Sequence, residues 1–404
     1  MNSAERRLLG YAAAAHALVH AMELTYPALL TDIEADFGLR SVISGTLATV
    51  FGFAFGSSAI PSGFLVDRLG SRQVLVYTFA GAAVLAVLVG LSPNEWFLVA
   101  GLAGLGLSIG LYHPAGLSLL AQGVRQRGLA LGFHGVAGNI GQALAPAIAI
   151  ALAVAIDWRA AFFFLAALAA VLALVMATTR LPIQGEVEVL ATESGPDPPP
   201  SQRRANRYLI PLLIVYAAFV LSGTVYRGAI TFLPKHLEDF VSEDFGGAFV
   251  TVALLMGAAG QLVGGALSQR VKLERLAPAI GLLAVPALIA TALLTGAPLV
   301  ILASIFVFLY FANQPVFNGL IADYAPAGAV GRSYGISFFA NFGLGSTGGI
   351  IAGVLVDRWD TAAAFLGLSA FLAVTVALSV ALWVMAERRG GKTPLPETAA
   401  EGSP

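Results

Sequence analysis

Twelve long apolar runs constrain this chain more than any other feature of its sequence. A transmembrane helix needs about 20 consecutive apolar residues, and these runs do not alternate apolar and polar residues as the strands of a membrane barrel do. The runs lie near residues 8–30, 42–66, 74–92, 95–121, 128–156, 160–179, 208–233, 246–269, 275–295, 298–323, 332–356 and 361–386. The sequence therefore predicts an all-α polytopic membrane protein with twelve transmembrane helices, surrounded by a lipid bilayer.

The composition agrees with this class and excludes several others. Charged residues make up 11% of the 404 residues, whereas a soluble protein carries about 25%. The formal net charge of −1 gives no reason to expect a nucleic-acid partner. The absence of cysteine excludes disulfides and thiolate metal sites. The first apolar run is too long for the apolar core of a signal peptide, so we expect no cleavable signal.

The distribution of basic residues predicts the orientation of the helices. If the N-terminus lies inside, 17 of the 22 Arg and Lys residues fall on the inner side. Cytoplasmic loops carry an excess of such residues, so both termini are predicted to be cytoplasmic. Arg far outnumbers Lys, and Ala and Gly are abundant. This usage suggests a GC-rich prokaryotic genome, and we expect the protein in a prokaryotic cytoplasmic membrane.

A polar, proline-rich stretch divides the chain into two halves. Residues 182–207 are predicted to form a disordered cytoplasmic linker. This linker separates an N-terminal six-helix bundle (1–181) from a C-terminal six-helix bundle (208–387). Residues 388–404 are similar in composition and are predicted to form a disordered cytoplasmic tail.

The two halves also repeat each other at nearly one shift. "GFLVDR" (63–68) matches "GALSQR" (265–270), and "GNIG" (138–141) matches "ANFG" (340–343), both at a shift of 202. Two further segments match at shifts of 201 and 203. Parallel repeats of this kind are the architecture of one large class of transporters, so we predict two pseudo-symmetric bundles.

The segment "GFLVDRLGSRQVL" (63–75), between the second and third helices, resembles the loop signature of the major facilitator superfamily. The positions that fit the signature are Gly63, Leu65, Asp67, Arg68, Gly70, Arg72 and Leu75. The resemblance implies two six-helix bundles that open a central cavity to one side of the membrane at a time. More narrowly, residues 16–30, 112–116 and 157–162 are similar to exporters of the fosmidomycin-resistance type.

The same resemblance implies a conformational gate at the inner ends of helices two and eleven. Asp67 would lie near the first turn of helix eleven, around Arg332, and stabilise it through the helix dipole only while the inner end is closed. The predicted gate residues are Gly63, Asp67, Arg68, Gly70, Arg72 and Arg332. A similar segment, "GVLVDRW" (353–359), falls on the predicted outer side and is interpreted as an ordinary polar helix end.

Glycine stripes on helices two, five, eight and eleven predict close helix packing. Static packing is the default interpretation of such stripes. The resemblance implies in addition that these four helices form the seam where the two bundles rock against each other. A tight, smooth seam is compatible with both interpretations.

Three ionisable residues share one face of the first helix. His16, His20 and Glu23 lie within about 60° of one another on a helical wheel, and ionisable groups inside a membrane mark functional sites by default. Arg227 is the only basic residue that we place within a span. We expect Glu23 to take up a proton and Arg227 to bind an anionic group of the substrate. The structural alternative is a buried, hydrogen-bonded cluster that fixes helix packing.

His113 and Pro114 interrupt the fourth apolar run. Proline removes a helix hydrogen bond, and the matching Pro315 predicts a second kink at equal depth in helix ten. The resemblance implies that helices one, four, seven and ten line the transport path, so His113 is predicted to face the cavity with Asn313 and Gln314 opposite it. The remaining candidates for substrate or proton contacts are His134, Asn139, Gln142, Tyr216 and Asn341.

These features predict a secondary active transporter and not an enzyme. Nothing resembles a nucleotide-binding loop, so a proton gradient is the expected driving force and no cofactor is predicted. We expect a monomer that moves a small organic molecule by alternating access. Proton-coupled export is favoured, and proton-coupled import of an organic or phosphonate-like anion is the alternative. A transporter-like receptor is a further alternative.

A membrane metal-binding protein or metalloenzyme is the alternative from another class. His16 and His20 have the i, i+4 spacing of a zinc pair, and Glu23 could be a third ligand. However, Ala17 stands where the zinc-protease pattern HExxH places its glutamate. We therefore rank transport above metal chemistry, and no metal is predicted.

Overall fold

A computed structural model describes residues 1–124, 127–179, 202–242, 246–326 and 330–388. The regular secondary structure of these residues is helical, which confirms the all-α prediction. The α-helices are α1 (Ser3–Ala28), α2 (Leu30–Phe37), α3 (Ser41–Leu69), α4 (Ser71–Gly90), α5 (Glu95–Gly110), α6 (Tyr112–Gly123), α7 (Arg127–Ala155), α8 (Arg159–Thr178), α9 (Gln202–Phe240), α10 (Gly246–Ser268), α11 (Leu273–Leu293), α12 (Gly296–Tyr324), α13 (Val330–Phe338), α14 (Gly348–Arg358) and α15 (Thr361–Arg388).

These helices account for the predicted spans. Among the described residues, eleven helices or continuous helix runs are long and apolar enough to cross a membrane. The remaining predicted span, 8–30, is covered by α1, whose ionisable side chains lower its hydropathy. The predicted linker lies outside the described residues up to residue 201, and α9 begins at Gln202, inside the predicted linker. The predicted tail lies outside the described residues from residue 389 onward.

Each half of the chain forms one bundle, and the packing within the two bundles corresponds. In the first half, α3 packs along α5 and α4 packs along α8. In the second half, α10 packs along α12 and α11 packs along α15. The matched sequence segments lie on these corresponding helices, since residues 63–68 lie in the last turns of α3 and residues 265–270 span the end of α10. The internal repeat is therefore a repeat of helix packing as well as of sequence.

The two matching prolines have different effects. The helix of the fourth span breaks at Leu111, between α5 and α6. The break follows from Pro114, which has no N–H to donate and whose ring clashes with the carbonyl of Gly110 four residues earlier. By contrast, α12 continues through Pro315 without a break. Pro315 thus does not interrupt α12, and the expected kink there stays a prediction.

The eleventh span is not one regular helix. Between α13 and α14 lie a π-helical segment, Phe339–Gly343, and a 3₁₀ segment, Leu344–Thr347. Such irregular turns inside a helix are frequent at functional sites. The glycines of this stretch let it approach the backbone of α9 closely, since a Cβ atom on Gly345 would lie 2.7 Å from Gly223 Cα. The irregular stretch thereby packs against both α3 and α9.

The glycine stripes lie at the seam between the bundles on two of the four helices. Gly45 of α3 faces the backbone of Gly349, so α3 and the eleventh span do meet at the seam. In contrast, Gly141 of α7 packs on Ala17 of α1, within the first bundle. Similarly, the α10 glycines pack on α12, within the second bundle. The α7–α10 contact across the seam is made instead by side chains, including Asn139 and Gln261.

The seam is closed at the end that holds the beginning of α3, which is the predicted outer end. The backbone N–H of Val42 donates to Asp357 Oδ2 at 3.2 Å, across the bundles. Lys235 of α9 pairs with Glu34 and donates to Ser41 Oγ at 3.2 Å. The interpretation of "GVLVDRW" as an ordinary helix end is therefore wrong, because its carboxylate caps a helix of the opposite bundle. Carboxylates stabilise helix N-termini through the dipole and the unpaired N–H groups.

We expect Gly45→Ala to open this end of the seam. The added methyl group would clash with the carbonyl oxygen of Gly349, and overpacking of this kind costs about 1–3 kcal/mol. Since the clash exists only while the end is closed, the population with an open end should rise by about 5–150-fold. The natural chain has no cysteine, so Ser346→Cys, buried in the seam, reports opening through its rate of maleimide labelling.

Gly132→Ala is the matched control for this experiment, because no atom would lie within 4 Å of its new Cβ among the described residues. It should label at the parental rate. Equal rates for Gly45→Ala and the parent would contradict the placement of Gly45 at the seam.

We expect Asp357→Asn to loosen the same end by a smaller amount. An amide oxygen still accepts from the Val42 N–H, so the variant removes the charge and keeps the hydrogen bond. An exposed carboxylate at a helix N-terminus contributes about 0.3–1 kcal/mol, which predicts labelling of the Ser346→Cys reporter about 2–5-fold faster. Asp360→Asn, whose carboxylate caps α15 of its own bundle, is the control, and a similar acceleration there would refute the cross-seam role of Asp357.

Candidate functional site

A polar cluster lies inside the protein where α1, α6, α7 and α9 meet, and we call it the central cluster. Its members are His16, His20, Glu23, Tyr112, His113, His134, Gln142, Tyr226 and Arg227. The helical wheel of α1 explains three of them, since residues four and three apart lie on one face. The other members come from three helices that the sequence does not place beside α1. Together they form a continuous chain of contacts that crosses between the bundles.

A buried ion pair joins the two bundles at the centre of this cluster. Arg227 Nη2 of α9 donates to Glu23 Oε1 of α1 at 3.0 Å. The side chain of Glu23 is 0% exposed and that of Arg227 3%. The guanidinium also lies over the ring of Phe51 of α3, 6.0 Å from its centre. Two opposite charges buried in this way stabilise each other. Removing one of them would leave the other as an uncompensated buried charge, which strongly destabilises the protein.

The histidines of α1 continue this chain away from the ion pair. His20 Nδ1 lies 2.8 Å from Glu23 Oε2, the second carboxylate oxygen. His20 Nε2 lies 3.1 Å from His16 Nε2, one helical turn earlier. His16 Nδ1 in turn donates to the backbone oxygen of His134 on α7 at 2.7 Å. Gln142 Nε2 approaches His20 Nδ1 at 3.1 Å from the side of α7.

Tyr112 anchors the other end of the chain. Its hydroxyl donates to the backbone oxygen of Ala12 at 2.6 Å and contacts His134 Nε2 at 2.8 Å. Because the single hydroxyl hydrogen goes to the carbonyl, His134 Nε2 carries a hydrogen and donates to the tyrosine. The rings of His16 and His134 stack with their centres 3.9 Å apart. These contacts lie within the first bundle, so they also fix the packing of α1, α6 and α7.

His113 has a different environment from the other histidines. Its Nε2 is buried and has no hydrogen-bond partner among the described residues. Its ring centre lies 5.4 Å from those of both His16 and His20. On its other side it contacts Phe55 of α3 and Phe338 of α13, at 5.7 and 4.9 Å. Aromatic rings from both bundles thus cover the histidines on this side.

Several predicted residues lie away from the central cluster. Asn139 Nδ2 donates to Gln261 Oε1 of α10 at 2.6 Å, across the seam. Tyr216 donates to the backbone oxygen of Ser333 at 3.4 Å. The other three are Asn313, Gln314 and Asn341. Asn313 donates to the backbone oxygen of Ala277 at 3.2 Å, Gln314 is half-buried on α12, and Asn341 packs against Gly223. Neither Asn313 nor Gln314 donates to His113 Nε2, which has no hydrogen-bond partner among the described residues.

Sequence reasoning missed two aromatic members of the cluster. Tyr112 and Tyr226 are both buried, and Gln142 Nε2 donates to the Tyr226 hydroxyl at 3.5 Å. Tyr226 could be found from the sequence, because the internal repeat aligns it with Glu23 at a shift of 203 residues. Tyr112 had no signal in the sequence beyond its position next to His113, since one tyrosine beside an apolar run is most often a packing residue. The histidines themselves carried the clearer signal.

The gate residues of the loop signature are placed as follows. Asp67, Arg68 and Arg332 are exposed, and within the part of the chain that the structure describes no side chain forms an ion pair with Asp67. Arg72 donates to the backbone oxygens of Met176 and Ala177 at 2.9 and 2.6 Å, which ties α4 to α8. Two glycines complete the set. Gly70 ends α3 with a φ of 79°, and Gly63 faces open space.

Among the residues that the structure describes, no ion pair joins Asp67 to the eleventh span in this conformation. The family resemblance implies this contact only while the inner end of the seam is closed. In this structure the predicted outer end of the seam is the closed one. Its role as a latch stays a prediction.

The residues with metal-ligand chemistry form one group in the described chain. Ring nitrogens of His16, His20 and His113 lie within 4.8 Å of one another. Glu23, the third ligand suggested from the sequence, forms hydrogen bonds with Arg227 and His20 instead. The metal alternative stays a hypothesis. Imidazoles of this kind suit zinc and neighbouring transition metals.

Comparisons with known proteins agree with this architecture. Residues 12–349 match the family described as the Major Facilitator Superfamily. The chain is 26% identical over 254 residues to the probable L-galactonate transporter of Escherichia coli, a match that covers 58% of this chain and 54% of that protein. It is 24% identical over 257 residues to the probable sulfoacetate transporter SauU of Cupriavidus necator, covering 59% of each. The chain therefore spans little more than half the length of these two relatives.

The fold is similar to that of a solved bacterial homologue of the human lysosomal transporter Spinster, described as inward-facing and unoccupied. The TM-score is 0.74, with 16% identity, and the match covers 96% of this chain and 98% of that one. At this identity the likeness concerns the fold alone. Because the family match extends over most of its length, the chain belongs to the Major Facilitator Superfamily.

Proposed function

We propose that this protein is a transporter that carries a small organic anion together with a proton by alternating access. Arg227 binds the anionic group, and Glu23 takes up the proton. The observation that carries the proposal is the buried Glu23–Arg227 pair, 3.0 Å long, with one partner in each bundle. Intramembrane charges in such a position mark substrate and ion pathways.

The ion pair couples proton and anion binding physically. While Glu23 is ionised it neutralises Arg227, and an incoming anion would have to displace it. A proton on Glu23 removes that counter-ion and leaves a buried guanidinium without a partner, which costs about 3–5 kcal/mol. A carboxylate, sulfonate or phosphonate group offsets this cost by binding the guanidinium in two-point geometry. Proton and anion thus favour each other's binding, which is the requirement for symport.

The relatives are consistent with this substrate class. L-galactonate and sulfoacetate, named for the two relatives, are both organic anions. A guanidinium with a planar pair of donors binds carboxylate and sulfonate groups alike. We therefore propose an organic acid as the substrate, with the proton gradient as driving force. We further propose that the protein is a monomer of the prokaryotic cytoplasmic membrane with both termini inside.

Proton-coupled export is the second candidate. The residues that resemble fosmidomycin-resistance-type exporters, 16–30 and 112–116, are the same segments that supply five of the cluster residues. In an antiporter, proton and substrate exclude each other at the shared site. The sign of the coupling therefore separates the candidates. Acidification increases anion binding in a symporter and decreases it in an antiporter.

We expect Glu23→Gln to abolish proton-driven accumulation while anion exchange persists. A glutamine cannot release a proton, so Arg227 is permanently without its counter-ion and binds the anion at every pH. In proteoliposomes with an imposed pH gradient, accumulation of labelled L-galactonate or sulfoacetate should fall by about 5–150-fold, the range of a 1–3 kcal/mol coupling. Glu95→Gln, at the start of α5 and outside the cluster, should accumulate like the parent. Parental accumulation by Glu23→Gln would exclude Glu23 as the proton site.

We expect Arg227→Gln to lose anion binding. Removing the guanidinium leaves Glu23 buried without a partner, so this variant alone does not separate binding from folding. The double variant Glu23→Gln/Arg227→Gln carries no buried charge at the pair and should recover the thermal stability of the parent in detergent. Neither variant should gain stability on addition of the two anions. Arg159→Gln, which breaks an exposed ion pair with Asp36, should respond like the parent, and an anion response by the double variant would rule out Arg227 as the anion site.

A further inference from the structure

The hydrogen bonds around His16 fix where its hydrogen lies. Its Nδ1 is 2.7 Å from the backbone oxygen of His134, and a carbonyl oxygen only accepts hydrogen bonds. His16 Nδ1 therefore carries a hydrogen. In a neutral imidazole the other nitrogen then has a lone pair, so Nε2 of His16 is an acceptor that points at His20.

His20 has two partners of opposite kind on one nitrogen. Its Nδ1 lies 2.8 Å from Glu23 Oε2, an acceptor while Glu23 is ionised, and 3.1 Å from Gln142 Nε2, a donor. If this nitrogen carries a hydrogen, it donates to the Glu23 carboxylate. If it carries a lone pair, it accepts from the Gln142 amide. The same atom is thus suited to both protonation states, and the choice between them depends on Glu23.

The contact between the two histidines then requires a further hydrogen. When Glu23 is ionised, His20 Nδ1 donates to it, and a neutral His20 would present a lone pair at Nε2. That lone pair would face the lone pair of His16 Nε2 at 3.1 Å. Two acceptors at hydrogen-bond distance in a buried site repel each other. A hydrogen between them converts the repulsion into a charge-assisted hydrogen bond.

We propose that His16 and His20, which we call the imidazole pair, hold the coupled proton while Glu23 is ionised and pass it to Glu23. The proposal rests on the proposed function and specifies which residues hold the proton before the anion binds. With Glu23, Arg227 and one stored proton, the cluster carries a net charge of +1. A monovalent organic anion neutralises this charge, so proton and anion cross the membrane together as a neutral load.

The transfer step is balanced within the cluster. The Nδ1–H bond of the His20 imidazolium breaks, its electron pair stays on Nδ1, and an O–H bond forms at Glu23 Oε2. His20 keeps its Nε2–H, which still donates to His16. The new lone pair on Nδ1 accepts from Gln142 Nε2, which is already 3.1 Å away. Arg227 loses its counter-ion in this step and becomes available to an anion.

The groups that face the imidazole pair are compatible with a stored proton. They are Glu23 on α1, Tyr112 and His113 on α6, His134 and Gln142 on α7, and Tyr226 and Arg227 on α9. Glu23 is the one acid among them and compensates the imidazolium directly. His134 donates from Nε2 to the Tyr112 hydroxyl and stacks on the His16 ring. His113 presents a buried Nε2 without a hydrogen-bond partner among the described residues, which suits it to exchange a proton with the pair.

Nitrogen NMR on the full-length protein tests this proposal. Protein labelled with ¹⁵N-histidine, treated with EDTA and reconstituted in nanodiscs, should show one imidazolium signal at near-neutral pH. That signal should be lost in His20→Asn and in His16→Asn, and should persist in His236→Gln. His236 lies outside the cluster, bound to Thr291 and Thr361. Glu23→Gln should also lose it, because the carboxylate that stabilises the cation is gone.

The outcomes separate this proposal from the transport proposal. Five neutral histidines at near-neutral pH, or an imidazolium that survives His20→Asn, would overturn the stored proton. Absence of the imidazolium after EDTA, with the His16, His20 and His113 signals shifting together on addition of Zn²⁺, would overturn it in favour of a metal site. If the imidazolium behaves as expected but the protein shows no proton-driven uptake, the stored proton on the imidazole pair is supported and the proposed function is refuted.

Discussion

The buried ion pair between Glu23 and Arg227 is the interaction on which the rest of the structure depends. Each partner belongs to a different bundle, and both side chains are buried in this conformation. The bundles cannot separate at this depth without exposing or parting two charges, and both changes are costly in a membrane interior. The protonation of one residue is thereby linked to the relative position of two six-helix units. Such a link between a local charge and a global two-state motion is what coupled transport requires.

The two ends of the seam use related chemistry. At the closed end the carboxylate of Asp357, near the end of the eleventh span, caps the first turn of α3 in the other bundle. At the opposite end Asp67, near the end of α3, is exposed, and the start of the eleventh span is the partner that the family resemblance implies for it. Both helices end in a "VDR" segment. Only the carboxylate of Asp357 has its cross-seam partner in this conformation, and the latch role of Asp67 stays a prediction.

The internal repeat preserves packing but not chemistry. Four of the five histidines lie in the first bundle around the cluster, and the guanidinium comes from the second. The repeat pairs Glu23 with Tyr226 and His113 with Gln314, so the ionisable groups on one side correspond to neutral ones on the other. The histidines and Glu23 therefore come from one bundle and the guanidinium from the other, and they are held together only while the bundles are in contact.

The sequence alone determined the helical class, the internal repeat and the shared face of His16, His20 and Glu23, because these depend on helix periodicity and on the cost of polar groups in lipid. It also singled out Arg227 as the intramembrane cation. It did not determine that Gln142 turns to His20 while Asn139, three residues earlier, crosses the seam to Gln261, nor that Asp357 caps a helix of the other bundle. Tertiary structure decided these partners, because residues with similar local patterns receive different neighbours from the way distant helices cross.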